Sequence, residues 1–155
     1  MAIAPSLEDL EEQEAMLVFP RFSEETAWEI GTALVAAGRR TAAPVVVDIR
    51  TPDRTLFHAA LPGSAPDNDH WARRKSNLPM RGHQSSLLVG LQLAAKGASL
   101  GSVRGLDPLD FSDHGGSFPI RVVDTGVIGA ITVSGLASED DHAMIVAAIR
   151  AHLGK

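Results

Sequence analysis

Two strand-like runs separated by only four residues set the strongest constraint on how this chain folds. Pro44 to Arg50 reads Pro-Val-Val-Val-Asp-Ile-Arg, β-branched and mostly apolar, the pattern of a strand buried on both faces. Thr51-Pro52-Asp53-Arg54 is a turn, with Pro pre-set for its second position. Thr55 to Leu61 is the next strand. A parallel crossover needs roughly a dozen residues or more, so these two strands pair antiparallel. A second hairpin follows the same logic: Phe118 to Val123 and Val127 to Ser134 flank Asp124-Thr125-Gly126. Gly129 inside the last strand suits a close backbone approach.

Helical signals surround the hairpins. Ser6 opens the first helix, with Asp9 at the capping-box position. Leu7, Leu10 and Leu17 give it a thin apolar stripe, and Glu8, Asp9, Glu11, Glu12 and Glu14 crowd the rest. That acidic side is either a solvated face or a partner-binding one. Ser23 starts a second helix in which Ala27, Ile30, Ala33, Leu34 and Ala37 recur at helical spacing, and Gly38 with Arg39-Arg40 suits its end. A polar helix is expected around Asp69 to Asn77, ended by Pro79, and then an apolar one from near Ser85 through Leu87, Leu88, Leu91, Ala94 and Ala95. Residues 98–117 are rich in Gly, Ser and Asp, with one short strand expected near Leu100 to Leu106. Ser138 caps a final helix, with Asp141 three residues on and His142, Val146, Ile149 and Leu153 along one face. This order predicts an α/β fold of the α+β type: a mostly antiparallel sheet of about five strands covered by helices. All 155 residues fit one domain, with residues 1–5 as a flexible lead.

Composition excludes several classes. A net charge of −5 repels phosphate backbones and argues against nucleic acid as a partner. With no Cys there is no disulfide framework, no thiolate metal site and no Cys nucleophile. No apolar run approaches the ~20 residues of a membrane span. The N-terminus lacks the basic region of a signal peptide, so a cytoplasmic location is the expectation.

Two segments concentrate functional side chains. Asp67-Asn68-Asp69-His70-Trp71-Ala72-Arg73-Arg74-Lys75 sets three consecutive cations beside a Trp. Arg73, Arg74 and Lys75 suit a carboxylate or phosphate, and Trp71 suits a flat ligand. The plainer reading is an exposed amphipathic helix whose cations pair with its own acids. His114-Gly115-Gly116-Ser117-Phe118-Pro119 is a glycine turn feeding a strand, where backbone N–H groups can nest an anion and His114 can serve as ligand or acid/base group. The plainer reading is glycines supplying positive φ. His83-Gln84-Ser85-Ser86 offers either anion binding at a helix start or capping by Ser85, and capping is preferred. Asp140-Asp141-His142 lacks the spacing of a metal site, so no metal is expected; its acids fit a helix dipole. No Gly-x-Ser-x-Gly elbow, P-loop or dinucleotide fingerprint is present.

Together with Gly126-Val127-Ile128-Gly129-Ala130-Ile131-Thr132-Val133-Ser134-Gly135-Leu136, these stretches resemble the GlcG/HbpS-like superfamily, the haem-degrading domain family, in a branch of mostly uncharacterised members. The resemblance spans roughly residues 6–153. It implies a sheet flanked by helices, a homo-oligomer from dimers upward, and a small-molecule site for which haem or a related tetrapyrrole is the leading ligand. The wider superfamily usually has Gly-Gly-x-Pro where this chain has Ser117 ahead of Phe118-Pro119, and favours Gly where this chain has Thr132.

Three readings of function follow. In the first, the chain is a binding module: His70, Trp71, Arg73, Arg74, Lys75 and the loop His114, Gly115, Gly116, Ser117 and Phe118 line a pocket for haem or another planar acid. In the second it is an interaction protein whose acidic first helix meets a partner. In the third it is an enzyme, with His114 or His70 as proton donor. The enzyme ranks last, because no catalytic constellation is legible.

Overall fold

The computed structural model describes residues 3–155, so the start of the expected flexible lead lies outside the described residues. The short turn at 51–54 does produce an antiparallel pair, β1 (Val46–Arg50) with β2 (Thr55–Ala60). The second hairpin is β3 (Ser117–Val122) and β4 (Gly126–Ser134), and β4 also pairs antiparallel with β1. The result is one sheet of 4 strands in the order β2-β1-β4-β3. The expected fifth strand is absent: Leu100–Ser102 is a single 3₁₀ turn. Ser102 Oγ donates to Ser99 O at 2.6 Å, and such local side-chain bonds compete with a ladder.

Five helices accompany the sheet: α1 (Leu7–Met16), α2 (Glu24–Arg40), α3 (Pro66–Gly82), α4 (Ser86–Ala95) and α5 (Ser138–Leu153). Ser6 and Ser23 close capping boxes at α1 and α2. Two expectations need correction. Pro79 does not end α3, which continues one turn further to Gly82. Proline forfeits one backbone N–H bond, but Leu78 and Pro79 are both buried, and their packing holds the last turn. Ser138 is not the cap of α5; Ala137 occupies that position without a side-chain bond, and Ser138 is the first helical residue.

Side chains on paired strands share a face, and here the two faces differ. Val47, Ile49, Phe118, Ile120, Ile131 and Val133 are fully buried on one, against Ala27, Ile30 and Leu34 of α2 and Ile145 and Ile149 of α5. On the other, the register places His58, Asp48, Thr132 and Ser117 in one row across all four strands. α3 covers this row. The row bonds within itself, as buried polar groups must. Ser117 and Thr132 hydroxyls lie 2.9 Å apart. Asp48 accepts from Arg50 Nε at 2.6 Å and Nη2 at 2.7 Å, and meets His58 Nδ1 at 2.8 Å. His58 Nε2 reaches Asp69 of α3 at 2.9 Å, tying helix to sheet.

α1 is anchored rather than loose. Leu10 and Leu17 are buried, and Gln13 Oε1 meets His142 Nε2 at 2.7 Å. Glu14 is buried as well; it accepts the Ser85 N–H at 2.6 Å and pairs with Arg121 at 3.2 Å. Glu8, Asp9, Glu11 and Glu12 stay exposed. Among the described residues, no helix is long and apolar enough to cross a membrane.

Candidate functional site

The two segments singled out in the sequence meet. The rings of Trp71 on α3 and His114 on the 112–116 loop lie 4.9 Å apart, tilted by 34°. The Arg74 guanidinium sits 4.0 Å from the Trp71 ring centroid, a cation–π contact, and Trp71 Nε1 donates to Asp67 at 3.1 Å. Beneath them lies a cavity of about 170 Å³ whose wall includes Asn68, Trp71, Lys75, His114, Ser134 and Ser138.

The three consecutive cations take three different roles, because successive helical residues point about 100° apart. Lys75 turns inward, is 4% exposed, and donates from Nζ to Asp141 at 3.0 Å and to Val133 O at 3.3 Å. Arg73 turns outward and holds Leu109 O at 2.8 Å and Asp110 at 3.3 Å. Arg74 donates to Pro108 O at 3.2 Å. Asn77 adds a bond to Asp110 O at 2.8 Å, and Ser112 N–H one to Arg74 O at 3.0 Å. These contacts fasten the 107–112 segment along α3 and so deliver His114 to Trp71.

Asp141 is the residue that sequence reasoning missed. Acids at a helix start are already explained by the dipole, which hides any second role. Its carboxylate is fully buried and accepts N–H groups of Gly135 at 3.2 Å and Leu136 at 2.9 Å besides Lys75. Burial pushes the Asp141 carboxyl above its ordinary range and the Lys75 ammonium below its own; the attraction between them opposes both shifts. Gly116 makes room for the pair. Its φ is +123°, and a Cβ there would lie 2.4 Å from Val133 O and 3.0 Å from Lys75 Nζ.

Other candidates fall elsewhere. His70 is exposed and outside the cavity wall. Gly115 is buried beside Ser138 O. Ser117 is bonded to Thr132, and Phe118 points into the apolar core. The start of α4 holds an anion from within: Ser85 caps Leu88 N–H at 3.3 Å, while the Glu14 carboxylate takes the Ser85 N–H. His142 is buried, its Nδ1 has no partner among the described residues, and burial lowers its pKa to about 4. Among the described residues, no group of three or more His, Asp or Glu is placed to hold a metal ion.

Two of the larger hollows gather less chemistry. One of about 690 Å³ lies by Val18, Glu29 and His152. The other, about 750 Å³, is an alanine-rich groove between α2 and α5. The first touches none of the segments above and the second only Leu136 and Asp140, so size does not select the site here.

Comparison with known proteins agrees with this architecture. Residues 22–150 match the family described as haem degrading protein HbpS-like. A UPF0303 protein of Streptomyces coelicolor is 47% identical over 152 residues, covering 98% of this chain and 96% of that protein. A UPF0303 protein of Acidobacterium capsulatum is 46% identical over 154 residues, covering 99% and 93%. The crystal structure of the Ybr137w protein superposes with a TM-score of 0.85 at 30% identity, covering 96% of this chain and 88% of that one. PduOC, solved in complex with heme, superposes with a TM-score of 0.71 at 20% identity, covering 84% and 94%; that likeness shows the fold alone.

Proposed function

The chain belongs to the HbpS-like family, and from that premise we propose that it is a small-molecule-binding protein whose ligand is haem or another planar acid, received at the mouth formed by Trp71 and His114. The observation that carries this reading is the meeting of those two rings at 4.9 Å above a cavity walled by a buried Lys75. The residues suit such a ligand in kind. His114 is an exposed imidazole able to ligate iron or transfer a proton, and the half-buried Trp71, with Arg74 over its ring, adds aromatic surface beside it. Pockets that enclose a drug-sized ligand hold roughly 300–1,000 Å³. A cavity of about 170 Å³ admits an arm of a macrocycle and not its ring, so the ring belongs across the mouth. Arg73 and Arg74 are engaged with the 107–112 segment and act by shaping the mouth.

Haemin titration followed in the Soret region tests this. The expected result is a saturable, stoichiometric shift that His114→Ala and Trp71→Ala each abolish or weaken. A folded protein with no saturable shift overturns haem as the ligand. Homo-oligomerisation and a cytoplasmic location belong to the same reading, the first checked by light scattering.

A second reading, a protein-interaction role, is favoured by the exposed acids Glu8, Asp9, Glu11 and Glu12 on an anchored α1. Removal of residues 1–17 would also remove Leu10, Glu14 and Leu17 from the interior. Charge reversal at Glu8, Glu11 and Glu12 is therefore the cleaner test of partner binding.

A further inference from the structure

The cavity under Trp71 and His114 has an imbalance of hydrogen-bonding groups. Lys75 Nζ spends two of its three N–H bonds on Val133 O and Asp141, and the third has no acceptor among the described residues. Asn68 Oδ1 accepts the Ala65 N–H at 2.8 Å, which fixes the amide and leaves Nδ2 as the free, donating end. The hydroxyls of Ser134 and Ser138 have no partner among the described residues, and both belong to the cavity wall. Ser138 is also the first residue of the 16-residue α5, whose cap Ala137 supplies no side-chain acceptor. No carboxylate belongs to that wall. Asp141 lies behind Lys75 with its oxygens occupied by Lys75, Gly135 and Leu136, and Asp140 has an interaction of its own.

Four groups able to donate thus belong to the wall of one space of about 170 Å³: Lys75 Nζ and Asn68 Nδ2 donate only, and the two serine hydroxyls donate or accept. Unmet donors in a half-open recess disfavour an apolar guest and favour one carrying acceptor oxygens. We infer that this cavity is a carboxylate subsite, in which Lys75, Asn68, Ser134 and Ser138 together receive one carboxylate group. The inference rests on the ligand-binding reading above and deepens it. The carboxylate comes either from a short free acid or from an acidic arm of a planar ligand lying on Trp71. Because Lys75 is paired with Asp141, recognition comes mainly from the array of donors, and an amide of the same shape, with one acceptor oxygen in place of two and no charge, should bind more weakly.

The test is a titration of ¹⁵N-labelled protein with sodium propionate, with propionamide as the neutral isostere, followed by the backbone amide resonances, and a separate haemin titration. The expected result is saturable movement of Gly116, Gly135 and Leu136 with propionate and markedly weaker binding of propionamide. The double variant Ser134→Ala/Ser138→Ala, which leaves the Lys75–Asp141 pair intact, should bind propionate roughly a hundredfold more weakly, about tenfold for each of two hydrogen bonds to a charged group. Competition between propionate and haemin assigns the subsite to an arm of the planar ligand. Propionate binding without haemin binding assigns it to a free acid and removes the planar-ligand reading while the subsite stands. Equal responses to propionate and propionamide, or none to either in folded protein, overturn the subsite, and the haemin result then decides the wider reading by itself.

Discussion

On one face of the sheet, Val47, Ile49, Phe118, Ile120, Ile131 and Val133 meet α2 and α5 through carbon alone; on the other, Asp48, Thr132 and Ser117 set a line of oxygen atoms under α3. Both faces are buried, yet they obey different rules. Apolar packing is non-directional and tolerates redistribution of its parts. A buried polar row fixes one geometry, because every group left unpaired costs more than its bond contributes. The candidate site stands on the polar face, where Lys75 and the 116–117 backbone are held by bonds. Fold stability and site geometry are therefore separable, and substitutions on each face should fail differently.

The largest effect belongs to the apolar face. Phe118 is fully buried between α5 and its strand neighbours. Phe118→Ala should lower the unfolding free energy by about 4 kcal/mol in urea, through lost transfer energy and a cavity. The folded fraction should still bind propionate with unchanged affinity, and a weakened affinity would mean the two faces are coupled. Next comes the buried ion pair. Lys75→Met strands the Asp141 charge at a cost of about 3–4 kcal/mol. Adding Asp141→Asn should recover part of that loss, since the orphaned charge disappears while an amide oxygen remains for Gly135 and Leu136. A double variant no more stable than the single one would show that the pair does not act as an electrostatic unit.

His142 is a titratable group in the interior beside Phe118, with ring centroids 6.0 Å apart. Its folded pKa is depressed from 6.5 to about 4, and the first cause is burial. Between those values the unfolded chain takes up a proton and the folded chain does not. Stability should therefore be complete above pH 6.5 and fall as pH drops towards 4, by up to about 3 kcal/mol at 1.36 kcal/mol per unit. His142→Leu should lose stability at pH 7 through its bond to Gln13, yet show a flatter profile between pH 7 and 5. An unchanged slope would place the acid sensitivity elsewhere.

How much of this was legible differs between the same two faces. Val45 to Ile49 and Ile131 to Val133 announce strands by β-branching, and the 51–54 turn dictates their pairing. Those signals are local, so the apolar layer and its hairpins are readable in order. The pairing of β1 with β4 is not, because nothing near Val46 names its partner Ser134. The site was legible only as two separate segments. That Trp71 meets His114, while Arg73 and Arg74 serve a loop some 35 residues away, depends on the path of 107–112. Asp141 reads as an ordinary first-turn helix residue, Asn68 as a loop residue just ahead of the helix expected from Asp69, and Ser134 as the end of a strand. Convergence in space gives them meaning, and spacing along the chain carries no trace of it.

The finest probe of the comparison uses two neighbours on β4. Thr132 faces the polar row and Val133 the core, and the two side chains are almost the same size. Val133→Thr places a hydroxyl where no acceptor waits and should cost about 2 kcal/mol. Thr132→Val removes one partner of the Ser117 hydroxyl and should cost about 1 kcal/mol, the penalty of an unmet buried donor. The Ser117 and Thr132 hydroxyls are bonded to each other, so a second step follows. Adding Ser117→Gly to Thr132→Val removes both ends of the bond, and the pair should show a coupling energy of about 0.5–1 kcal/mol in a double-mutant cycle. Hydrogen exchange at Gly116 and Val133 reads the consequence for the site, since the Val133 N–H is bonded to Gly116 O at 2.8 Å. Faster exchange at those two amides in Thr132→Val, with the core amides of Ile49 and Ile131 unchanged, would show that the polar row sets the backbone against which Lys75 is held. Uniform acceleration across the sheet would instead mean that the faces are one cooperative unit and that the site has no stability of its own.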